Sequence, residues 1–170
     1  MFSDTLPDRL NANRFIDARV EVSGPLDSEH YKRFSEMATL LPGGTVSIRG
    51  SRVQFGPREV WGRLVCCAEM TCQRCMQPVT VALEGAIRWG LVSSEAEMQS
   101  LERDLDPIML DEGQVLLRQA VEDELVLLLP IMPMHEVCDS GWTPDPKPGV
   151  ALKKESPFAV LAILKNKQGS

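Results

Sequence analysis

Two pairs of soft ligands set out the chemistry this sequence could do. Cys72-Gln73-Arg74-Cys75 places two cysteines three apart, and His135-Glu136-Val137-Cys138 places a histidine and a cysteine three apart in the second half of the chain. Two-residue intervals let both side chains of a pair reach one tetrahedral ion, and Cys3His is a structural-zinc stoichiometry. One structural zinc on Cys72, Cys75, His135 and Cys138 is therefore the sharp reading. The plainer reading is a tight turn at Cys72–Cys75, with His135 and Cys138 as ordinary loop residues. Neither pair contains the internal glycine that commonly helps such a knuckle turn. A thiol-redox use of C-x-x-C works best at a helix N-terminus, whose dipole lowers the thiol pKa. Here Pro78 and an extended segment follow instead, so a C-x-x-C oxidoreductase is the weakest alternative. No P-loop, no GxGxxG and no Ser-His-Asp arrangement is present, and the expectation is a protein that is not an enzyme. Cys66 and Cys67 read as a core thiol and its outward neighbour, and His30 as a surface residue.

The elements that must position these ligands follow from periodicity. Val115, Leu116, Ala120, Val121, Leu125 and Leu128 recur at helical spacing, predicting a central helix from about Val115 to Leu128. Glu122, Asp123 and Glu124 mark a wet opposite face, where Glu122→Ala costs little. Pro130 and Pro133 stop the helix. Ahead of it, Phe15–Val22 reads as a strand by partial alternation. A capped helix follows from Asp27 or Ser28 to about residue 41, with Tyr31, Phe34, Met37, Ala38 and Leu41 as its apolar stripe. Thr45–Phe55, with a bulge or register change at Gly50-Ser51, Val60–Met70 and Pro78–Val92 read as three strands of an antiparallel meander. Residues 93–105 are acidic surface, and 107–110 a short edge strand. The predicted fold is α+β: an antiparallel sheet of four to six strands covered by one central helix, with two shorter flanking helices. Residues 1–14 read as a flexible arm and 15–138 as the domain. Residues 139–170 read as a Pro/Gly-rich loop and a short C-terminal helix opened by Ser156-Pro157.

At 170 residues and 44% hydrophobic content the chain can bury a full core. The longest apolar run is broken by proline and too short to span a bilayer. Five cysteines and no export signal predict a cytoplasmic protein. The net charge of −6 is segregated. Residues 1–93 carry 11 basic and 10 acidic side chains, residues 94–145 carry 2 and 13, and residues 146–170 carry 5 and 1. This is no generally basic nucleic-acid binder, and no DNA or membrane partner is expected. Ten of the 11 basic residues of the first block are arginines, suited to bidentate phosphate contact. Arg49, Arg52, Arg58, Arg63 and Arg74 are the candidate RNA-contacting face, with the lysines of 153–167 as a second. Solvated strand faces are the bland account of the same residues. Trp61, Trp89 and Trp142 are the aromatic candidates for stacking, two of them in strands where core packing competes.

Cys72-Gln73-Arg74-Cys75 before an extended strand, Ala120-Val121-Glu122-Asp123-Glu124-Leu125, and Leu129-Pro130 with Pro133, His135 and Cys138 together resemble the YceD family. Pro157-Phe158-Ala159-Val160-Leu161 before a lysine tail is similar to it too. The resemblance covers nearly the whole chain in order and spacing. It implies a ribosome biogenesis factor acting in the synthesis, processing or stability of large-subunit (23S) ribosomal RNA. The implied partners are that RNA or its precursor particles; the charge of the acidic 94–145 block separately suits basic ribosomal proteins or another assembly factor. Some members look as if they carry a second C-x-x-C where this chain has His135 and Cys138. The alternative class is a zinc-stapled protein-interaction adaptor that affects ribosomal RNA indirectly.

Overall fold

In the computed structural model, which describes residues 5–52 and 56–138, the chain enters as a short strand, β1 (Arg9–Asn11), and turns directly into helix α1 (Ala12–Ala18). The strand expected over Phe15–Val22 is thus a helix for its first half. Asn11 caps it by accepting from the Arg14 amide, Arg19 closes it in the left-handed region (φ 48°), and Ala12, Phe15 and Ile16 are buried at helical spacing. Nor do residues 5–14 form an arm apart from the domain. Leu6 is buried, and β1 pairs with β8 (Gln114–Leu116).

Strand β2 (Glu21–Pro25) follows, then a 3-10 turn at Ser28–His30, helix α2 (Lys32–Ser35) and strand β3 (Thr39–Leu40). The long helix expected over 27–41 is therefore split. Tyr31, Phe34 and Ala38 are buried as the stripe required, but Met37 is exposed. Three long strands come next: β4 (Thr45–Arg52), β5 (Arg58–Thr71) and β6 (Pro78–Val92). The bulge expected at Gly50-Ser51 does not form, and the β4–β5 register runs unbroken from Thr45↔Val65 to Arg52↔Arg58. Gly50 serves packing instead: a Cβ there would lie 3.0 Å from the Ile16 Cα, so α1 rests on the bare backbone. Helix α3 (Glu95–Gln99) and strand β7 (Asp106–Met109) lead to β8 and the longest helix, α4 (Leu117–Leu128).

The mixed α+β class is as expected. The main sheet is open, with strand order β2-β4-β5-β6-β7 and β3 paired to β5. It is antiparallel except at β7, which runs parallel to β6. Four α-helices are present among the described residues rather than one central helix and two flanking ones. Alternation sends Val46, Ile48, Val60, Leu64, Leu83, Ile87 and Trp89 into the core. On the same side α4 contributes Leu117, Ala120, Val121 and Leu125, all buried. Each fully buried large apolar side chain contributes about 1.5–3 kcal/mol. Leu129 turns extended (φ −64°, ψ 129°) ahead of Pro130, as a residue before proline does.

Of the acidic run of α4 only Asp123, half exposed, is on a wet face. Glu122 is only 9% exposed, and its carboxylate accepts from the Arg33 amide at 2.7 Å, the Phe34 amide at 3.4 Å and Arg33 Nε at 3.0 Å. Tyr31, at the N-cap of α2, supplies no side-chain cap, so α4 caps α2 from outside. Glu124 accepts from the buried Trp89 indole at 2.6 Å, and burial pushes its carboxyl up. The loop and C-terminal helix expected over 139–170, Trp142, the lysines of 153–167 and the end of the strand expected through Phe55 lie outside the described residues. No helix among those described is long and apolar enough to cross a membrane.

Candidate functional site

The turn that joins β5 to β6 is the Cys72–Cys75 knuckle, at the tip of the longest hairpin in the fold, just past the last pair Thr71↔Pro78. The Met76 amide donates to the Cys72 carbonyl and the Cys72 amide to the Gln77 carbonyl, both at 2.9 Å. Met76 takes the left-handed conformation (φ 60°). The knuckle therefore does contain the left-handed position for which glycine is usual, and a solvent-exposed methionine fills it. From the other side, the proline-stopped chain after α4 returns to the knuckle, where the Gln73 amide donates to the Pro133 carbonyl at 2.9 Å.

Cys72, Cys75, His135 and Cys138 meet there, with one ligand atom of each lying within 4.8 Å of all the others. Cys72 is buried and the other three half-buried. The geometry fits a metal ion by a second criterion, the histidine tautomer. His135 Nε2 lies 3.0 Å from the Pro78 carbonyl, an acceptor only, so Nε2 carries the proton. Nδ1 then keeps its lone pair and faces Cys75 Sγ at 3.4 Å, the outer-partner arrangement common to ligating histidines. The electrostatics agree. The Cys75 backbone amide, aided by those of Arg74 and His135, holds the Cys72 thiol down to about 5 against the opposing effect of burial. Burial, with the neighbouring Cys75 and Cys72 side chains, pushes Cys138 up. A cation at the site would favour the deprotonated form of each cysteine ligand. Cys66, buried in β5, is pushed up to about 11 by burial and takes no part; Cys67 faces out.

The five candidate arginines do not form one face. Arg49 and Arg63 project from the side of the sheet opposite the core, Arg63 paired to Glu84. Arg52 lies at the end of β4, 4.0 Å from Asp17. Arg58 is half-buried and already partnered, donating to Ser93 Oγ at 2.8 Å and Asn13 Oδ1 at 3.4 Å, with Glu97 at 3.8 Å. Arg74 belongs to the knuckle, beside Met134. Two arginines not singled out by sequence join Arg49 and Arg52 instead. Arg88 stacks over the Trp61 ring, 5.2 Å from its centroid, and Arg19 lines a cleft of about 440 Å3 with Arg49, Arg52 and Trp61. The inward alternation of Ile87 and Trp89 could have found Arg88. Arg19 was hidden because its segment reads as strand. Of the two tryptophans described, Trp89 is core and Trp61 is 42% exposed.

The family model described as "Large ribosomal RNA subunit accumulation protein YceD" matches residues 60–165. A Haemophilus influenzae protein of the same description is 36% identical over 112 residues, which cover 62% of this chain and 64% of the relative. The match thus spans just under two thirds of that relative's length. No solved structure matches the chain.

Proposed function

This chain belongs to the YceD family, and from that membership we propose that it is a non-enzymatic, cytoplasmic factor of ribosome biogenesis. It acts in the synthesis, processing or stability of large-subunit ribosomal RNA, on that RNA or its precursor particles. The observation that carries this reading is the family match over residues 60–165, together with the relative's printed name. In a strain lacking the gene, the ratio of 23S to 16S ribosomal RNA should fall and return when this chain is supplied. An unchanged ratio on deletion overturns the proposal.

The site adds a structural component. Cys72, Cys75, His135 and Cys138 hold one zinc, which fixes the residues after α4 to the tip of the β5–β6 hairpin; the convergence of four ligand atoms from two distant segments supports this. Such an ion supplies folding energy rather than chemistry. A second reading, a zinc-stapled adaptor that meets protein rather than RNA, is favoured by one observation. Ile131 and Val137, flanking His135, are 97% and 91% exposed, and exposed apolar residues in a cluster mark interaction surfaces. Crosslinking in cells separates the two, since only a direct RNA binder yields defined sites on ribosomal RNA.

A further inference from the structure

We infer that the uncovered face of the sheet around Trp61 is a binding platform for an unpaired stretch of RNA, with Trp61 stacking on one base and the surrounding arginines taking the flanking phosphates. This deepens the role proposed above and rests on it for the identity of the ligand.

The register builds the platform. Arg49, Trp61 and Arg88 are direct cross-strand partners on β4, β5 and β6, forming one row across the sheet. In the next row Arg63 lies between Ser47 and Ala86. All four point away from the core, because Ile48, Gly62 and Ile87 alternate with them along the strands. Helices α1 and α4 pack on the other side. Among the described residues this face is covered only at its end, where Leu101 sits on Gly90. Beyond Glu21↔Arg49 the edge of β4 has no described strand beside it, and there Arg19 and Arg52 line the cleft that Trp61 also borders. That cleft, about 440 Å3, falls in the range of small-ligand sites.

The indole is also held in place. Trp61 Nε1 donates to Glu59 Oε2 at 2.9 Å, and Glu59 is itself 8% exposed. The bond orients the indole while Trp61 as a residue stays 42% exposed. Arg88 lies over the indole, 5.2 Å from its centroid, and Trp61 lines the cleft together with Arg49. A large aromatic oriented by a buried carboxylate, left open to water and ringed by arginines has the composition of a single-strand site. Such sites combine base stacking with a basic track along the backbone. Duplex RNA suits the face poorly, because its bases are already stacked and its deep groove does not admit a side chain. The acids of the region set the strength. Asp17 and Glu84 pair with Arg52 and Arg63 and compete with phosphate for them, so binding is modest and strongly salt-dependent.

The test uses the full chain, zinc-loaded, and an end-labelled ten-nucleotide oligoadenylate followed by fluorescence anisotropy, with an RNA duplex of the same length for comparison. The single strand should bind more tightly than the duplex. Trp61→Ala should weaken single-strand binding by about 5- to 150-fold, and Trp61→Phe, which keeps an aromatic face, by far less. Arg49→Gln and Arg63→Gln should each reduce the slope of log affinity against log salt by about one, and Arg74→Gln should leave it unchanged. Should Trp61→Ala fail to fold, the Trp61→Phe and Arg49→Gln arms carry the test. Wild-type protein that does not bind the oligomer, or Trp61→Ala that binds it as tightly as wild type, overturns the platform. The ribosomal RNA ratio reports separately: if it is insensitive to the gene while Trp61-dependent binding persists, the role falls and the platform stands.

Discussion

Removing the Glu122 carboxylate should detach α2 from α4 and cost far more than an acidic residue on a helix surface ordinarily does. Glu122→Ala strips the acceptor from the Arg33 amide at 2.7 Å and the Phe34 amide at 3.4 Å, the second and third helical residues of α2. These are the amides an N-cap normally satisfies, and losing a cap costs about 0.5–2 kcal/mol. Phe34 is fully buried, so its neighbourhood admits little water, and an orphaned buried donor adds about 1–3 kcal/mol. The Arg33 guanidinium adds little, because it is half exposed and keeps Asp123 at 2.6 Å. Together these come to about 1.5–5 kcal/mol. At about 2–4 °C per kcal/mol for a domain of this size, Tm should fall by about 3–20 °C. Glu122→Gln retains the acceptor oxygen and should lose about 1 kcal/mol, and Asp123→Ala, on the exposed pair, less than about 1 kcal/mol. Urea melts of the three variants at pH 7 and fixed excess zinc measure this. If Glu122→Ala and Asp123→Ala melt together, the helix-to-helix cap has no energetic content.

Leu125→Ala, in the buried face of α4, should cost about 2–5 kcal/mol by transfer and cavity terms, read from the same melts. Protein purified without a metal-affinity tag should contain about one zinc per chain by atomic emission. Cys72→Ser and Cys138→Ser should each abolish it, and a chelator should lower the wild-type Tm. Metal-free protein whose melting ignores the chelator would leave the knuckle a plain turn. Glu124 supplies a pH test. Burial raises its carboxyl in the folded state, so ionisation opposes folding above the folded pKa, and the penalty disappears below the unfolded one. Relative to Glu124→Gln, wild type should therefore gain stability as pH falls from 7 through the carboxylate range. A constant difference across that range would refute it.

Where sequence and structure agree, one period dominates. Strands β5 and β6 were legible because strict alternation runs through them, with Leu64, Cys66, Leu83 and Ile87 inward and Arg63, Cys67 and Glu84 outward. The meeting of Cys72, Cys75, His135 and Cys138 was legible from residue type and spacing alone. The rest failed where short segments carry two periods at once. Ala18, Val20 and Val22 alternate, but Ala12, Phe15 and Ile16 stand at helical spacing, and the Asn11 cap decided for helix. Glu122 failed differently. A carboxylate on α4 looks wet until α2, 89 residues earlier, brings amides to it, and no local pattern reports a partner at that distance. The arginines failed in the same way, since which of them share a face depends on the β4–β5–β6 register.

The pairing of β1 with β8 bears on how the chain is made. Arg9 in β1 reaches Asp111, 102 residues later, and Leu6 accepts through its carbonyl from Arg118, 112 residues later. At about 5–20 residues per second of synthesis, the N-terminal segment waits roughly 5–20 s after it emerges before β8 exists. Throughout that interval Leu6, Phe15 and Ile16, buried in the finished domain, have no α4 and no β8 to pack against. Closing so long a loop is also entropically slow. The residues of β1 and α1 are thus made early and are among the last to find their place.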